Sequence, residues 1–184
     1  MHDYRDFKVD IISKDRIETE HLILRKARPD DLDKIWKNVW SDESIARYML
    51  WIPTKTREEA EERMNRTIHY QGIIPAFFTC LKETDEPIGF AGIKEIEAGV
   101  YEDCGACFMP KHQRKGYGRE MLAALTRLAF DEFNAKEVRF GCFEENIPSK
   151  RLIESMGFKY VNTVPEVREK DGYKYNALNY ALKK

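Results

Sequence analysis

The sequence has little that would place the protein outside the cytoplasm or on a nucleic acid. Lysine and arginine number 31 against 32 aspartates and glutamates, so the net charge is −1 and there is no basic excess of the kind that nucleic-acid binding needs. The longest uncharged run, residues 71–81, contains Pro75 and is far shorter than the roughly 18 apolar residues of a membrane span. The first residues include no apolar segment of the secretory-signal type. We expect a cytoplasmic protein with neither a membrane nor a nucleic acid as partner.

Cysteine is also scarce. The four cysteines lie at positions 80, 104, 107 and 142, a number that fits reduced thiols in a cytosolic protein. Cys104 and Cys107 have the spacing of half a zinc site, but no second pair follows, and only Cys142 and His112 are near enough in sequence to complete one. We therefore predict buried thiols and no metal.

No internal repeat, low-complexity tract or Gly/Ser/Pro-rich linker interrupts the 184 residues. This length supports one well-packed core and is short for two. The sequence predicts a single domain over residues 1–184, in which the polar and weakly patterned residues 1–17 form an N-terminal arm.

The spacing of apolar residues predicts a domain of mixed helices and strands, α/β or α+β in class. Thr56-Arg57-Glu58-Glu59 matches a capping box and predicts the start of a helix. Another helix is predicted to begin at Pro29, and further ones to cover residues 42–49, 118–133 and 148–156. The predicted strands cover residues 21–28, 76–81, 88–96, 100–109, 138–143, 160–164 and 173–182. A strand, a crossover helix and a parallel strand therefore lie in the middle of the order.

The segment 113–119, Gln-Arg-Lys-Gly-Tyr-Gly-Arg, lies between a predicted strand and a predicted helix. Gly116 and Gly118 let the backbone turn tightly, and the helix that follows adds the positive end of its dipole, which suits a pyrophosphate. Position 121 is Met and no Gly-Lys-Ser/Thr follows, so a dinucleotide fold or an ATP-binding P-loop is disfavoured. Taken alone, the loop is equally consistent with a plain turn.

A second motif lies after the predicted strand 138–143. Asn146-Ile147-Pro148-Ser149 is followed by Gly157-Phe158. With the 113–119 loop, this spacing resembles the GNAT superfamily of acetyltransferases over residues 19–182, and most of all its ribosomal-protein N-terminal acetyltransferase branch. The resemblance implies a central mixed, mostly antiparallel sheet of about seven strands. It also implies a parallel, splayed pair in the middle of that sheet and helices on both faces.

The resemblance further implies that acetyl-CoA lies between the strands 100–109 and 138–143. The loop would hold the pyrophosphate, the first of these strands would pair with pantetheine, and a bulge there would aim one N–H at the thioester oxygen. The residues that it implies as the cofactor site are Ala106, Cys107, Phe108, Arg114, Lys115, Gly116, Tyr117, Gly118, Arg119, Asn146 and Ser149.

Two residues are the catalytic candidates. Glu102 lies where histone acetyltransferases of the superfamily carry a glutamate, so it is the predicted base, with a solvated strand-edge charge as the alternative. Many members of the superfamily carry a tyrosine that acts as general acid where this chain has Ile153, and some carry a glutamate where it has Gly141. Ser149 is therefore the predicted residue that assists the leaving thiolate. The alternative is that Ser149 only starts a helix.

These features predict direct transfer of an acetyl group from acetyl-CoA to a primary amine, either a protein N-terminus or a small molecule. No metal is expected. No covalent enzyme intermediate is expected either, because no His–Asp arrangement activates Cys107 or Cys142. Pairing of C-terminal strands would allow a homodimer. The alternative from another class is a sensor module that binds acetyl-CoA without catalysis.

Overall fold

The computed structural model describes residues 2–184. Its strands are β1 (Asp10–Ser13), β2 (Arg16–Glu18), β3 (Leu22–Arg25), β4 (Ala76–Leu81), β5 (Pro87–Glu97), β6 (Val100–Asp103), β7 (Cys107–Phe108), β8 (Glu137–Phe143), β9 (Lys159–Arg168) and β10 (Tyr173–Lys183). Its α-helices are α1 (Leu32–Ile35), α2 (Glu43–Ala46), α3 (Arg57–Ile73), α4 (Tyr117–Arg127) and α5 (Ile147–Ser155). A 3-10 turn (Pro29–Asp31) and a π-helical turn (Trp36–Trp40) flank α1, and a second π-helical turn (Leu128–Glu132) follows α4.

All ten strands belong to one open sheet. Its order is β1-β2-β3-β4-β5-β6-β8-β10-β9, and β7 lies beside β5. Every pair is antiparallel except β6 with β8, which is parallel. The predicted mixed sheet with a parallel pair in its middle is confirmed.

The structure has ten strands where the sequence predicts about seven. Two of the additional strands come from the predicted N-terminal arm, in which β1 and β2 form a hairpin that extends the sheet beyond β3. Ile17 in β2 is fully buried, so this hairpin contributes to the core. The third arises because the predicted strand 100–109 is interrupted between β6 and β7.

The helices cover both faces of the sheet. Neighbouring residues of β7 show this, because side chains alternate along a strand. Phe108 lies near Tyr117 of α4, with ring centroids 6.4 Å apart, whereas the neighbouring Cys107 is influenced by the charge of Arg63 on α3. The predicted capping box starts α3: Thr56 Oγ1 accepts from the Glu59 N–H at 3.2 Å, and a Glu59 carboxylate oxygen accepts from the Thr56 N–H at 3.3 Å. Among residues 2–184, no helix is long and apolar enough to span a bilayer.

The parallel strands separate after a short contact. β6 and β8 pair over three residues, ending with Glu102 opposite Arg139. β8 then continues to Phe143 along β10. The segment that follows β6 instead passes Gly105, at φ +89°, and pairs with β5 as β7. We call the resulting gap between β7 and the end of β8 the fork. Each strand that borders it pairs only on its far side, so free backbone groups face the gap.

Asp103 bridges the two sides of the fork at its closed end. One carboxylate oxygen accepts from the Gly141 N–H on β8 at 2.8 Å, and the other accepts from the Gly105 N–H at 3.1 Å. Burial raises the pKa of Asp103 to about 6, although the two N–H groups oppose that shift. A single side chain thus connects the divergent strands where their own ladder ends.

Gly89 allows β7 to lie against β5, and replacing it should loosen that contact. A Cβ at this position would lie 2.0 Å from the carbonyl oxygen of Cys107, which is rigid backbone. We expect Gly89→Ala to lower the free energy of unfolding by about 1–3 kcal/mol, measured by urea titration. Gly72→Ala in α3 is the control, since its Cβ meets open space and alanine favours a helix, so it should be neutral or stabilising. Equal stability of the two variants would contradict the close approach.

The raised pKa of Asp103 predicts a specific pH dependence of stability. Its pKa in the folded state, about 6, exceeds the ordinary 3.8, so the folded state binds the proton more tightly. Stability contributed by this group is therefore present below pH 4 and lost as the pH rises through 6. Relative to Asp103→Asn, the wild type should lose on the order of 1–2 kcal/mol between pH 4 and pH 7. Unfolding titrations at several pH values test this.

The control for that series is Asp10→Asn, which changes an exposed aspartate on the edge strand β1. Its difference from wild type should vary little with pH. If the Asp103→Asn difference instead grows in favour of wild type as the pH rises, the two N–H groups outweigh burial.

Candidate active site

The 113–119 loop places unpartnered N–H groups at the start of α4. Gly116 is the N-cap of α4 with φ +90°, and Arg114 also has a positive φ, +59°. The backbone N–H groups of residues 114–118 donate to no acceptor within residues 2–184. They lie at the positive end of the helix dipole, beside the exposed side chains of Arg114 and Lys115. This is an anion-binding geometry.

The two glycines of this loop have different tasks. Gly116 provides the left-handed turn, and the space around its missing side chain is open to 4 Å. Gly118 is already helical, and a Cβ there would lie 2.8 Å from a methyl group of Leu152. Gly118 therefore allows α5 to pack closely on α4, whereas the sequence suggests that both glycines bend the loop.

Gln113 attaches this loop to β7. Its side-chain amide donates to the carbonyl oxygen of Phe108 at 2.9 Å. The N–H groups of the loop and the free edge of β7 are thus held as one unit. The predicted pyrophosphate-binding loop and the predicted pantetheine-pairing residues, Ala106 to Phe108, are brought together. Sequence patterns include Gln113 in the motif but do not reveal this bond.

Asn146 and Ser149 lie on the other side of the fork, where β8 leads into α5. Asn146 is the N-cap of α5, and its side-chain oxygen accepts from the Ser149 N–H at 3.2 Å. The Ser149 hydroxyl is next to the thiol of Cys142 and lowers that thiol's pKa, which burial raises to about 11 overall. Both predicted residues therefore border the end of β8.

Glu102 occupies the last parallel pair before the strands separate. Its cross-strand neighbours are Lys94 on β5 and Arg139 on β8. Arg139 is already bound by Glu137, with 2.6 Å between Nε and the carboxylate. Within the described residues, Glu102 has no ion-pair partner within 4 Å, and it is only half-buried. The predicted base is therefore a free carboxylate at the closed end of the fork.

The thiols near the fork are held in their neutral form. Burial raises the pKa of Cys107 to about 12 and that of Cys104 to about 11. A neutral thiol is a weak nucleophile, so this environment favours direct transfer over an acetyl-cysteine intermediate. Among residues 2–184 all four cysteines are free, and no three His, Cys, Asp or Glu side chains are grouped as metal ligands.

Aromatic side chains and one arginine close the face of the fork opposite α4. Phe143 at the end of β8 stacks on Tyr175, with centroids 3.8 Å apart, and meets Tyr48 edge-on at 6.2 Å. Arg168 on β9 donates to the carbonyl oxygens of Ala46 and Met49, each at 3.0 Å. It thereby fastens the chain after α2 to the C-terminal hairpin. Sequence reasoning missed Arg168, because these acceptors are more than a hundred residues away.

Comparison with known proteins agrees with this geometry. A model of the acetyltransferase (GNAT) domain matches residues 21–159. The uncharacterized N-acetyltransferase p20 of Bacillus licheniformis is 27% identical over 173 residues, which is 90% of this chain and 94% of that protein.

Two solved structures share the fold. A putative ribosomal-protein-serine acetyltransferase from Vibrio cholerae superposes with a TM-score of 0.77 at 21% identity, covering 92% of this chain and 97% of that one. Spermidine N-acetyltransferase from Vibrio cholerae, in complex with CoA and spermine, superposes with a TM-score of 0.73 at 22% identity, covering 88% and 95%. The resemblance noted in the sequence is confirmed, and the chain belongs to the GNAT family of acetyl-CoA-dependent N-acetyltransferases.

Proposed function

We propose that the protein transfers the acetyl group of acetyl-CoA directly to a primary amine of a small molecule or a protein N-terminus. The observation that carries this proposal is the fork, with a free β7 edge on one side and the α4 N-terminus joined to that edge through Gln113. An extended, phosphate-bearing cofactor fits such an arrangement. A structural neighbour that binds CoA and spermine supports an amine as acceptor.

In this proposal acetyl-CoA lies along the fork, in the gap between β7 and the end of β8. The N–H groups of residues 114–118 and the side chains of Arg114 and Lys115 bind the pyrophosphate. Arg119 contacts Ser155 at 3.4 Å and adds charge at the same helix end. Pantetheine pairs with the free edge of Ala106–Phe108 as an added strand. Asn146 and Ser149 contact it from the β8 side.

The reaction forms a C–N bond and breaks the C–S bond of the thioester. The amine attacks the carbonyl carbon, and a backbone N–H on the free edge of Ala106–Phe108 stabilises the oxyanion, an effect worth about 10²–10³ in rate in other enzymes. Glu102 accepts the proton that the amine loses, directly or through water. The Ser149 hydroxyl donates a hydrogen bond to the departing thiolate.

The assay that tests the function measures free CoA released with a panel of amines, including polyamines, amino-acid analogues and short peptides with free N-termini. Release that depends on the amine supports the enzyme. Tight acetyl-CoA binding without release from any amine would favour the sensor module instead.

Gly116→Val tests the cofactor loop. A branched residue at φ +90° is strained, so the loop should abandon the turn that gathers its N–H groups. We expect acetyl-CoA to bind at least tenfold more weakly, as measured by calorimetry. Gly172→Val is the matched control: this glycine also has a positive φ and open space around it, but it lies in the β9–β10 turn. A folded Gly116→Val protein with unchanged affinity would remove this loop from the site.

Glu102→Gln tests the base. An alkyl amine has a pKa near 10.4, so its deprotonation at pH 7 costs about 4–5 kcal/mol, and a base matters correspondingly. We expect kcat/KM to fall roughly a hundredfold at pH 7 with little change in acetyl-CoA affinity, and the loss to shrink at high pH. Glu97→Gln, an exposed change 3.6 Å from Arg139, controls for local charge. A loss of equal size at every pH would assign Glu102 to positioning.

A further inference from the structure

Arg63 on α3 has an unusual environment. Its guanidinium lies over two indole rings, 4.6 Å from the ring centroid of Trp40 and 4.2 Å from that of Trp51. One of its N–H groups donates to the hydroxyl of Thr54 at 2.9 Å. The charged group therefore packs against both rings, and Thr54 is its one hydrogen-bond acceptor among residues 2–184.

This guanidinium has no carboxylate near it. Nine other arginines among residues 2–184 lie within 4 Å of an aspartate or glutamate. Of the remaining arginines in that range, Arg63 is the one that is not exposed. Glu59, one helical turn earlier, is engaged in the capping box. Burial lowers the pKa of Arg63 to about 10, which leaves it charged at neutral pH. A partly buried charge without a counter-ion is costly, so a ligand that supplies one gains affinity.

An unpartnered donor lies beside Arg63. The indole N–H of Trp51 is buried and has no acceptor among residues 2–184. Buried donors nearly always have partners in folded proteins. Arg63, which has no carboxylate partner, and the unpartnered indole N–H of Trp51 are neighbours, and together they indicate the place of an anion that comes from outside the chain.

This place adjoins the reaction centre. The charge of Arg63 acts on Cys107, where it lowers the thiol's pKa against the larger effect of burial. Trp51 lies 6.5 Å from the ring of Phe90, the β5 residue that pairs with Cys107. Trp51, though not Arg63, also borders a surface depression of about 320 Å³. A ligand reaching Arg63 would thus lie on the face opposite α4, next to the strand proposed to hold the thioester.

We propose that Arg63 and the indole N–H of Trp51 bind a carboxylate of the acceptor, so that the enzyme prefers amines that also carry a carboxylate. The planar edge of a guanidinium matches a planar carboxylate through two parallel hydrogen bonds. A single positive charge compensates a single negative one. The acceptor assignment rests on the proposed function, whereas the anion site itself does not.

The experiment compares amino acids from β-alanine to 6-aminohexanoate with their primary amides. With saturating acetyl-CoA, the best acid should have a kcat/KM at least tenfold above that of its amide. Arg63→Met keeps a long side chain against the indole rings and should remove this preference. The kcat/KM of the acid should then lie within about threefold of that of its amide. Arg66→Met, an exposed change on the same helix, should leave the preference intact.

A binding measurement separates this inference from the proposed function. The N-acetylated acids and amides are titrated by calorimetry into the CoA-bound wild type and into CoA-bound Arg63→Met, a measurement that requires no turnover. Tighter binding of an acid than of its amide, weakened by Arg63→Met, supports the site even if no amine is acetylated. Equal binding of every acid and amide, or an acid preference that survives in folded Arg63→Met, would overturn it.

Discussion

The rest of the site depends on the separation of β6 from β8. Their ladder ends at the pair Glu102 and Arg139, and Asp103 then holds the two sides together through the N–H groups of Gly105 and Gly141. Each strand, once separated, leads into a helix that starts at the open end: β7 through the 113–119 loop into α4, and β8 through Asn146 into α5. Both helix starts therefore lie at the open end of the fork, where the proposed cofactor would meet both of them.

Charge is distributed around this fork although the whole chain is nearly neutral. Arg114 and Lys115 lie at the α4 N-terminus, where phosphates are expected, and the free carboxylate of Glu102 lies at the closed end. Arg63 lies on the face opposite α4, within reach of Cys107. In the proposed reaction such a separation would hold the phosphates of the cofactor and the acceptor on different sides of the thioester, with Glu102 between them. The net charge of the chain does not reveal this arrangement, because it is a sum over all charged residues and contains no positions.

Local patterns predicted the elements well and the interruptions poorly. The capping box at Thr56, the strand 76–81 and the C-terminal hairpin all follow from residues adjacent in sequence. The break between β6 and β7 does not, because it depends on Asp103 binding Gly141, which is 38 residues away. The arm's hairpin, with its weak alternation, is similarly fixed by burial of Ile17 in the core. In the candidate site, motif spacing indicated the loop, Asn146 and Ser149. It could not indicate Arg63, because the environment of that side chain is formed by Trp40 and Trp51 from other segments.

The same long-range logic bears on the leaving thiolate. Ile153, at the position where the resemblance implies a tyrosine, is buried at 2% exposure and packs in the core. Ser149, one helical turn earlier, is half-buried beside Cys142 at the end of β8. In the proposed reaction a thiol of pKa near 8.5 leaves as a thiolate close to neutral pH, so a Ser149 hydrogen bond of about 1.5–3 kcal/mol would be adequate assistance. In the proposed reaction no full proton donor is then needed at this step, which leaves position 153 free for an apolar residue that packs in the core.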